Sequence, residues 1–293
     1  MQAYQDLKQA EKGAWLSISV YIGLSIMKLL VGYFYASEAL TADGFNNTTD
    51  IIVSVAVLIG LRISRKPPDH DHPYGHFRAE TIATLIAAFI MAAVGIQVFL
   101  QALQNLIQQH TQTPHPLAAW VALLSAAIMY AVYVYNRKLA QRVNSPSLQA
   151  AAQDNRSDAL VSAGAFVGII GASLGWPWLD ALTAMIVGFI ICKTAWDIFR
   201  ESSHNLTDGF DQDKLDAFKD TIQQTPGVEF MADIKARIHG NQVLVDVTIH
   251  VNEELSISEG HDISDSVEER MLNKHQISHV HVHIEPSVIS TAK

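Results

Sequence analysis

Two pairs of residues carry the chemistry of this sequence. Asn46 and Asp50, in the stretch T-A-D-G-F-N-N-T-T-D (Thr41–Asp50), and Asp154 and Asp158, in A-A-Q-D-N-R-S-D, each lie four residues apart at the head of an apolar run. On a helix that spacing puts both members of a pair on one face, a turn apart. Carboxylates inside membrane helices are costly and mark an ion pathway. The four residues supply only oxygen donors: three carboxylates and one amide carbonyl. Oxygen-rich sets suit hard divalent cations such as manganese or magnesium, whereas zinc recruits imidazole or thiolate. With a dication bound, the three Asp give −3 plus +2, or −1. Without it the carboxylates repel, and at least one takes up a proton. Metal entry then ejects protons, and protons help to eject metal.

Other polar residues have open roles at this level. Asp43, one turn before Asn46, either belongs to an exit path or caps its helix. Asn47 and Arg156 fall off the metal-facing stripe, and Arg156 is drawn toward the interface or paired with a carboxylate. Lys28 snorkels or is paired. In the loop R-K-P-P-D-H-D-H-P-Y-G-H-F-R-A-E (Arg65–Glu80), a turn would bring Asp69, His72 and His76 round one cation, with His70 and Asp71 as spare ligands. The loop is either an accessory metal site or a solvated connection. Near the C-terminus, His279, His281 and His283 alternate and so share one strand face. His283 with Glu285, and His250 on a neighbouring strand, form a candidate third site.

The elements that position these residues follow from the apolar runs. The chain has 293 residues, 49% hydrophobic, with a formal net charge of −9. Residues 1–204 carry 13 basic and 13 acidic residues, and 205–293 carry 7 and 16, so the whole excess is C-terminal. An acidic tail piece excludes nucleic acid as a partner. The single cysteine, Cys192, excludes disulfide scaffolds and cysteine-based zinc sites, and the polar N-terminus is not that of a cleavable signal peptide. Six apolar segments are long enough to span a lipid bilayer: Ala14–Ser37, Leu40–Ile63, Arg78–Gln108, Leu117–Arg137, Ser147–Leu174 and Trp178–Phe199. The polar break Gln108–Pro116 separates the third from the fourth. Lys and Arg cluster at one alternating set of segment ends and are absent from the opposite loops. This places both termini in the cytoplasm. After Asn205 the pattern changes to helix (Asp211–Thr225), strand (Gly227–Ile238), strand (Gln242–Val251), helix (Ser258–Lys274) and strand (Val280–Ile284), with Gly240-Asn241 as the hairpin turn. The fold class is a membrane all-α domain of six transmembrane helices (1–204) plus a C-terminal cytoplasmic α+β domain (205–293).

At these motifs the sequence resembles the cation diffusion facilitator family. The resemblance covers essentially the whole chain: T-A-D-G-F-N-N-T-T-D, H-P-Y-G-H-F-R-A-E, D-N-R-S-D-A-L, W-L-D-A-L-T-A, H-N-L-T-D-G and the closing H-V-H-I-E-P. It implies a homodimeric divalent-metal/proton antiporter of the cell (inner) membrane, with a ferredoxin-like, metallochaperone-like cytoplasmic domain. It puts the transport site on Asn46, Asp50, Asp154 and Asp158. Zinc-transporting members place His at one or more of these positions; Asn with three Asp resembles the bacterial manganese-exporting branch. The family's loop site maps to Asp69, His72 and His76. Its cytoplasmic site is matched by His261 and His283, with Glu285 in place of Asp. Ala232 and Thr248 stand where zinc members carry His, which His250 partly offsets. Arg78 and Asp208 match a family charge interlock.

The expectation is therefore proton-coupled efflux of divalent cations, manganese first, by alternating access in a homodimer. Zinc, iron or cobalt/cadmium export by the same machinery is the nearest rival. A membrane metal sensor without transport is a rival of another class. No cofactor beyond the transported cation is implied. No H-E-x-x-H or nucleophile elbow is present, so nothing points to an enzyme.

Overall fold

The computed structural model describes residues 2–34, 38–108, 116–176, 178–277 and 279–287; the side chains of some helical residues, Asp43 and Asn46 among them, lie outside this description. The chain forms two compact units, Met1–Ser202 and Ser203–Lys293.

The first unit is built from six long helices: α1 (Gln2–Phe34), α2 (Glu38–Ser64), α3 (Arg78–Gln108), α4 (Pro116–Val143), α5 (Pro146–Ser173) and α6 (Trp178–Leu206), the last running on into the second unit. Among the described residues, stretches of α1, α3 and α4 (Gln5–Val31, Arg78–Gln104 and Leu117–Val143) are long and apolar enough to cross a membrane. The break expected at Gln108–Pro116 falls largely outside the described residues.

α1 begins at Gln2 rather than at Ala14. The polar extension is helical because one of its faces is buried: Leu7 and Ala10 join the core of α1, α2, α4 and α5. Its outer face is tied down by Glu11, which accepts from Arg65 and lies 3.9 Å from Arg62.

A two-residue link joins α4 to α5. Asn144 takes a left-handed conformation (φ 49), and the Ser145 hydroxyl accepts from the Leu148 N–H as a cap of α5. Glu80, in the first turn of α3, completes that cap. It accepts from the hydroxyls of Ser145 and Ser147 and is fully buried. A carboxylate at the first turn of α5 also complements the helix dipole. α3 and α6 approach closely because glycines face the partner. A Cβ at Gly95 would come within 2.8 Å of Cys192 Sγ, and one at Gly188 within 2.9 Å of the Phe99 amide nitrogen.

The second unit follows the expected order: α7 (Gln212–Gln223), β1 (Phe230–His239), β2 (Gln242–Val251), α8 (Ile257–His275) and β3 (His279–Pro286). Asp211 caps α7, accepting from the amides of Asp213 and Lys214. A full capping box between Ser256 and Glu259 starts α8. The sheet order is β1-β2-β3, with β1 and β2 antiparallel and β2 and β3 parallel. A parallel pair needs a crossover, which α8 supplies. β1 starts at Phe230, later than Gly227, and a bulge falls at Ala232. Val245, Val247, Ile249 and Val251 face α7 and α8 and pack with Phe218, Val267 and Met271. Truncating Ile249, which is fully buried, to Ala costs about 2–5 kcal/mol by the usual large-to-small cost. The alternate positions of β2 and β3 carry Asp246, Thr248, His250, His281, His283 and Glu285 on the opposite face.

Candidate metal centre

Asp50 on α2 and Asp154 and Asp158 on α5 come together. One carboxylate oxygen from each lies within 4.8 Å of the other two. A divalent cation held at about 2.1–2.5 Å from each oxygen spans donors about 4–5 Å apart, so the group closes on an ion with little movement. All three side chains are buried, at 3%, 6% and 9% exposure. Three buried acids this close together repel one another, which favours a cation or protons between them. The fourth expected ligand, Asn46, belongs to α2 one turn before Asp50, but its side chain lies outside the described residues, as does that of Asp43.

A residue of α1 organises the acids. Tyr21 is fully buried. Its hydroxyl donates to Asp158 and lies 3.3 Å from Asp154. It accepts in turn from Asn155 Nδ2 at 3.0 Å. The chain of polar groups continues inward. Ser17 donates to Asn155 Oδ1 at 3.1 Å, and Asn136 Nδ2 reaches Ser17 at 2.8 Å and Asn155 Oδ1 at 2.9 Å. Ser17, Asn136 and Asn155 are each at 0% exposure. Such a network fixes the rotamers of the ligands it touches and so preorganises the site. Lys28 does not snorkel. At 1% exposure it donates to Asn47 Oδ1 at 2.8 Å, which puts a buried cation three residues from Asp50. Arg156 is exposed, on the opposite side of α5 from the acids.

The loop residues Asp69, His72 and His76 also gather, again with one ligand atom each within 4.8 Å. The turn makes this local. Asp69 Oδ1 accepts from the amides of Asp71 and His72 at 3.1 and 2.8 Å, and Gly75 (φ 80) lets the chain double back. The His72 and His76 rings lie 4.3 Å apart, and His76 Nε2 is 3.4 Å from Asp69 Oδ2. The His72 N–H, followed by the His72 and His76 rings, holds the Asp69 carboxyl below the usual carboxylate range. His70 pairs with Asp71 at the exposed tip and stays out of the group.

On the open sheet face, Glu285 sits between two imidazoles, 3.3 Å from His250 Nε2 and 3.5 Å from His283 Nε2. His250 also stacks on Phe230 at 4.0 Å. His261 does not join them. It lies on α8, beside Asp265 at 3.7 Å, and α8 covers the other face of the sheet. Arg78 opens α3 in the first unit, and Asp208 (φ 60) follows α6 in the second.

The helical unit and the small α+β unit are each matched by a known family. The cation efflux transmembrane domain matches residues 14–207, and the cation efflux protein cytoplasmic domain matches residues 210–287. The chain belongs to the cation efflux family. It is similar to the manganese efflux system protein MneS of Bacillus subtilis, 56% identical over 286 residues that span 98% of this chain and 99% of the relative. MneP, a manganese efflux system protein of the same organism, is 32% identical over 94% of this chain and 96% of its own length. An uncharacterized transporter, YdbO, also of Bacillus subtilis, is 51% identical over 99% of this chain and all of its own length. As a member of this family, the chain has a membrane helical domain and a C-terminal cytoplasmic domain with a small sheet.

The sequence reading missed Tyr21, Ser17, Asn136 and Asn155. Ser17, Tyr21 and Asn136 fall in or at the end of apolar runs, where a lone Tyr or Ser looks like packing, and Asn155 is flanked by the more conspicuous Asp154 and Arg156. The available signal was the count of polar residues at helical spacing: Ser17 and Tyr21 are four apart, facing Asp154 and Asp158 four apart.

Proposed function

We propose that this chain exports divalent cations, manganese first, in exchange for protons, as a homodimer that opens the intramembrane acid cluster to each side of the membrane in turn. The observation that carries the reading is the composition of the cluster. Among the described residues three carboxylates and no imidazole or thiolate gather between α2 and α5, and hard oxygen donors favour manganese over zinc. The names of MneS and MneP support the same metal. Asn46 completes the set as an amide donor. Proton coupling follows from the charge: carboxylates that crowd together bind either a dication or protons, and each displaces the other. Rocking of helices around a fixed midplane site is the general route to alternating access. In this reading both termini are cytoplasmic and the cytoplasmic domain dimerises. The Asp69, His72 and His76 group is an accessory cytoplasmic site, and His250, His283 and Glu285 are a weaker one.

The test is flux in proteoliposomes carrying a pH-sensitive dye inside. Manganese uptake should move protons the other way, and Asp50→Ala or Asp158→Ala should reduce uptake to the protein-free background. Uptake without proton movement, or uptake that survives both substitutions, would sink the reading. Zinc competing better than manganese would replace the metal while leaving the mechanism standing.

A further inference from the structure

Away from the acid cluster, α4 and α5 enclose a groove of about 600 Å³. Its two ends differ in chemistry. On this antiparallel hairpin Arg137, Tyr133 and Arg156 lie nearest the Asn144-Ser145 turn. Leu123, Ala126 and Ala163 line the end farthest from it. Among the described residues no Asp or Glu lines the groove. Among the described residues no carboxylate pairs with either guanidinium: Arg137 donates to Tyr133 Oη at 2.9 Å and lies over that ring at 5.8 Å, and Arg156 has no hydrogen bond or ion pair.

The direction of the two arginines decides what this means. Helical side chains slant toward their own N-terminus. α4 and α5 run in opposite directions, so Arg137 is carried away from the turn and deeper along the hairpin, whereas Arg156 is carried back toward it. The contact of Arg137 with Tyr133, a full turn deeper, shows this slant. Arg137 thus does not extend to the helix end, as a snorkelling arginine would. Arg156 stands ten residues into α5, about 15 Å from its start. Both arginines line the groove at the basic end of these segments, where an anion between them is favoured, and none of the described residues supplies it.

We propose that the groove binds one anionic phospholipid, with its phosphodiester on Arg137 and Arg156 and an acyl chain along Ala126, Leu160 and Ala163. The small side chains leave room for the chain, and the exposed Tyr130, at 58%, borders the head group. A zwitterionic lipid fits less well because its ammonium would face two guanidiniums. Basic pockets between membrane helices on the cytoplasmic side take anionic head groups for the same reason. The inference rests on the hairpin lying in a bilayer and is independent of which metal is carried.

Native mass spectrometry of the full-length, delipidated protein tests it, with phosphatidylglycerol, phosphatidylcholine and inorganic phosphate as probes. Phosphatidylglycerol should bind as one tight copy per chain. R137Q/R156Q should weaken it about twenty-five-fold, at about fivefold per arginine, whereas Arg142→Gln, outside the groove, should not. Leu160→Trp, which fills the apolar end and keeps both arginines, should also displace the lipid, so the test survives if the double variant fails to fold. Equal binding of phosphatidylcholine, full competition by inorganic phosphate, or binding untouched by these substitutions overturns the proposal.

Discussion

Two groups of three residues each bring one ligand atom per residue within 4.8 Å, and they are made in opposite ways. Asp69, His72 and His76 lie within eight consecutive residues and are gathered by one turn. Asp69 and His72 are more than half exposed. Asp50, Asp154 and Asp158 come from two helices more than a hundred residues apart and are almost wholly buried. The loop group exists because of its own backbone. The buried group exists because the core of α1, α2, α4 and α5 brings α2 against α5, and because a side chain from α1, Tyr21, ties the acids together. Water can satisfy the loop ligands at any time, so an ion there competes with solvent. In the buried group only protons or a cation can relieve the charge. That difference makes the second group the one suited to carrying cargo and the first suited to an accessory role.

The sharpest way to break the comparison is to remove one acid from each group. Asp158→Ala should bring manganese flux to background, whereas Asp69→Ala should leave most of it, as measured in the same vesicles. Equal losses would mean that the loop takes part in transport. Next in size is Tyr21→Phe. It keeps the ring in the core and removes only the hydroxyl that holds Asp154 and Asp158. Loss of such a supporting hydrogen bond costs about 10–100-fold in metal affinity. Calorimetry should show that loss, and flux at saturating manganese should recover in part. Unchanged affinity would show that the acids position themselves.

The two groups were also unequally legible in the sequence, for the same physical reason. The loop group needs no tertiary information: the spacing of Asp69, His72 and His76 and the glycine at position 75 are enough. The pairing of Asp154 with Asp158 is likewise local, set by helical geometry. What joins that pair to Asp50 is the packing of α2 against α5, which no local pattern states. Their matched spacing and the family resemblance both pointed to one site, and among the described side chains Asp50, Asp154 and Asp158 gather. Tyr21 stayed invisible because its role depends on a contact across 137 residues of sequence. Glu80 capping α5 from α3 is a case of the same kind. The position of His261 relative to His283 was not legible, because it depends on α8 returning on the covered side of the sheet while His283 stands on the open side. The helical extension of α1 ahead of Ala14 was not legible because its burial depends on Leu7 and Ala10 meeting other helices.

A smaller effect separates the groups by substitution within the loop alone. His72→Ala should abolish metal binding to the loop, read by histidine NMR shifts on titration with a diamagnetic dication, while the affinity of the buried group stays unchanged. A parallel fall in both affinities would show that the loop feeds the buried group.

The smallest effect is the acid response of the loop. Its sign follows from the Asp69 carboxyl, which accepts the His72 N–H and is held below the usual carboxylate range. A depressed carboxylate stabilises its turn at every pH above the ordinary Asp value of about 3.9. That contribution is lost only as the pH falls through the lower, folded-state value. The His72 amide should therefore keep its protection from hydrogen exchange and its chemical shift from pH 8 down to about 4, and lose both below that. Asp69→Asn retains an acceptor oxygen without the titration, so its His72 amide should show no acid transition. If the wild-type turn instead loosens between pH 5 and 7, the histidine rings rather than the Asp69 acceptor hold it, and the loop would be organised by its ligands rather than by its backbone.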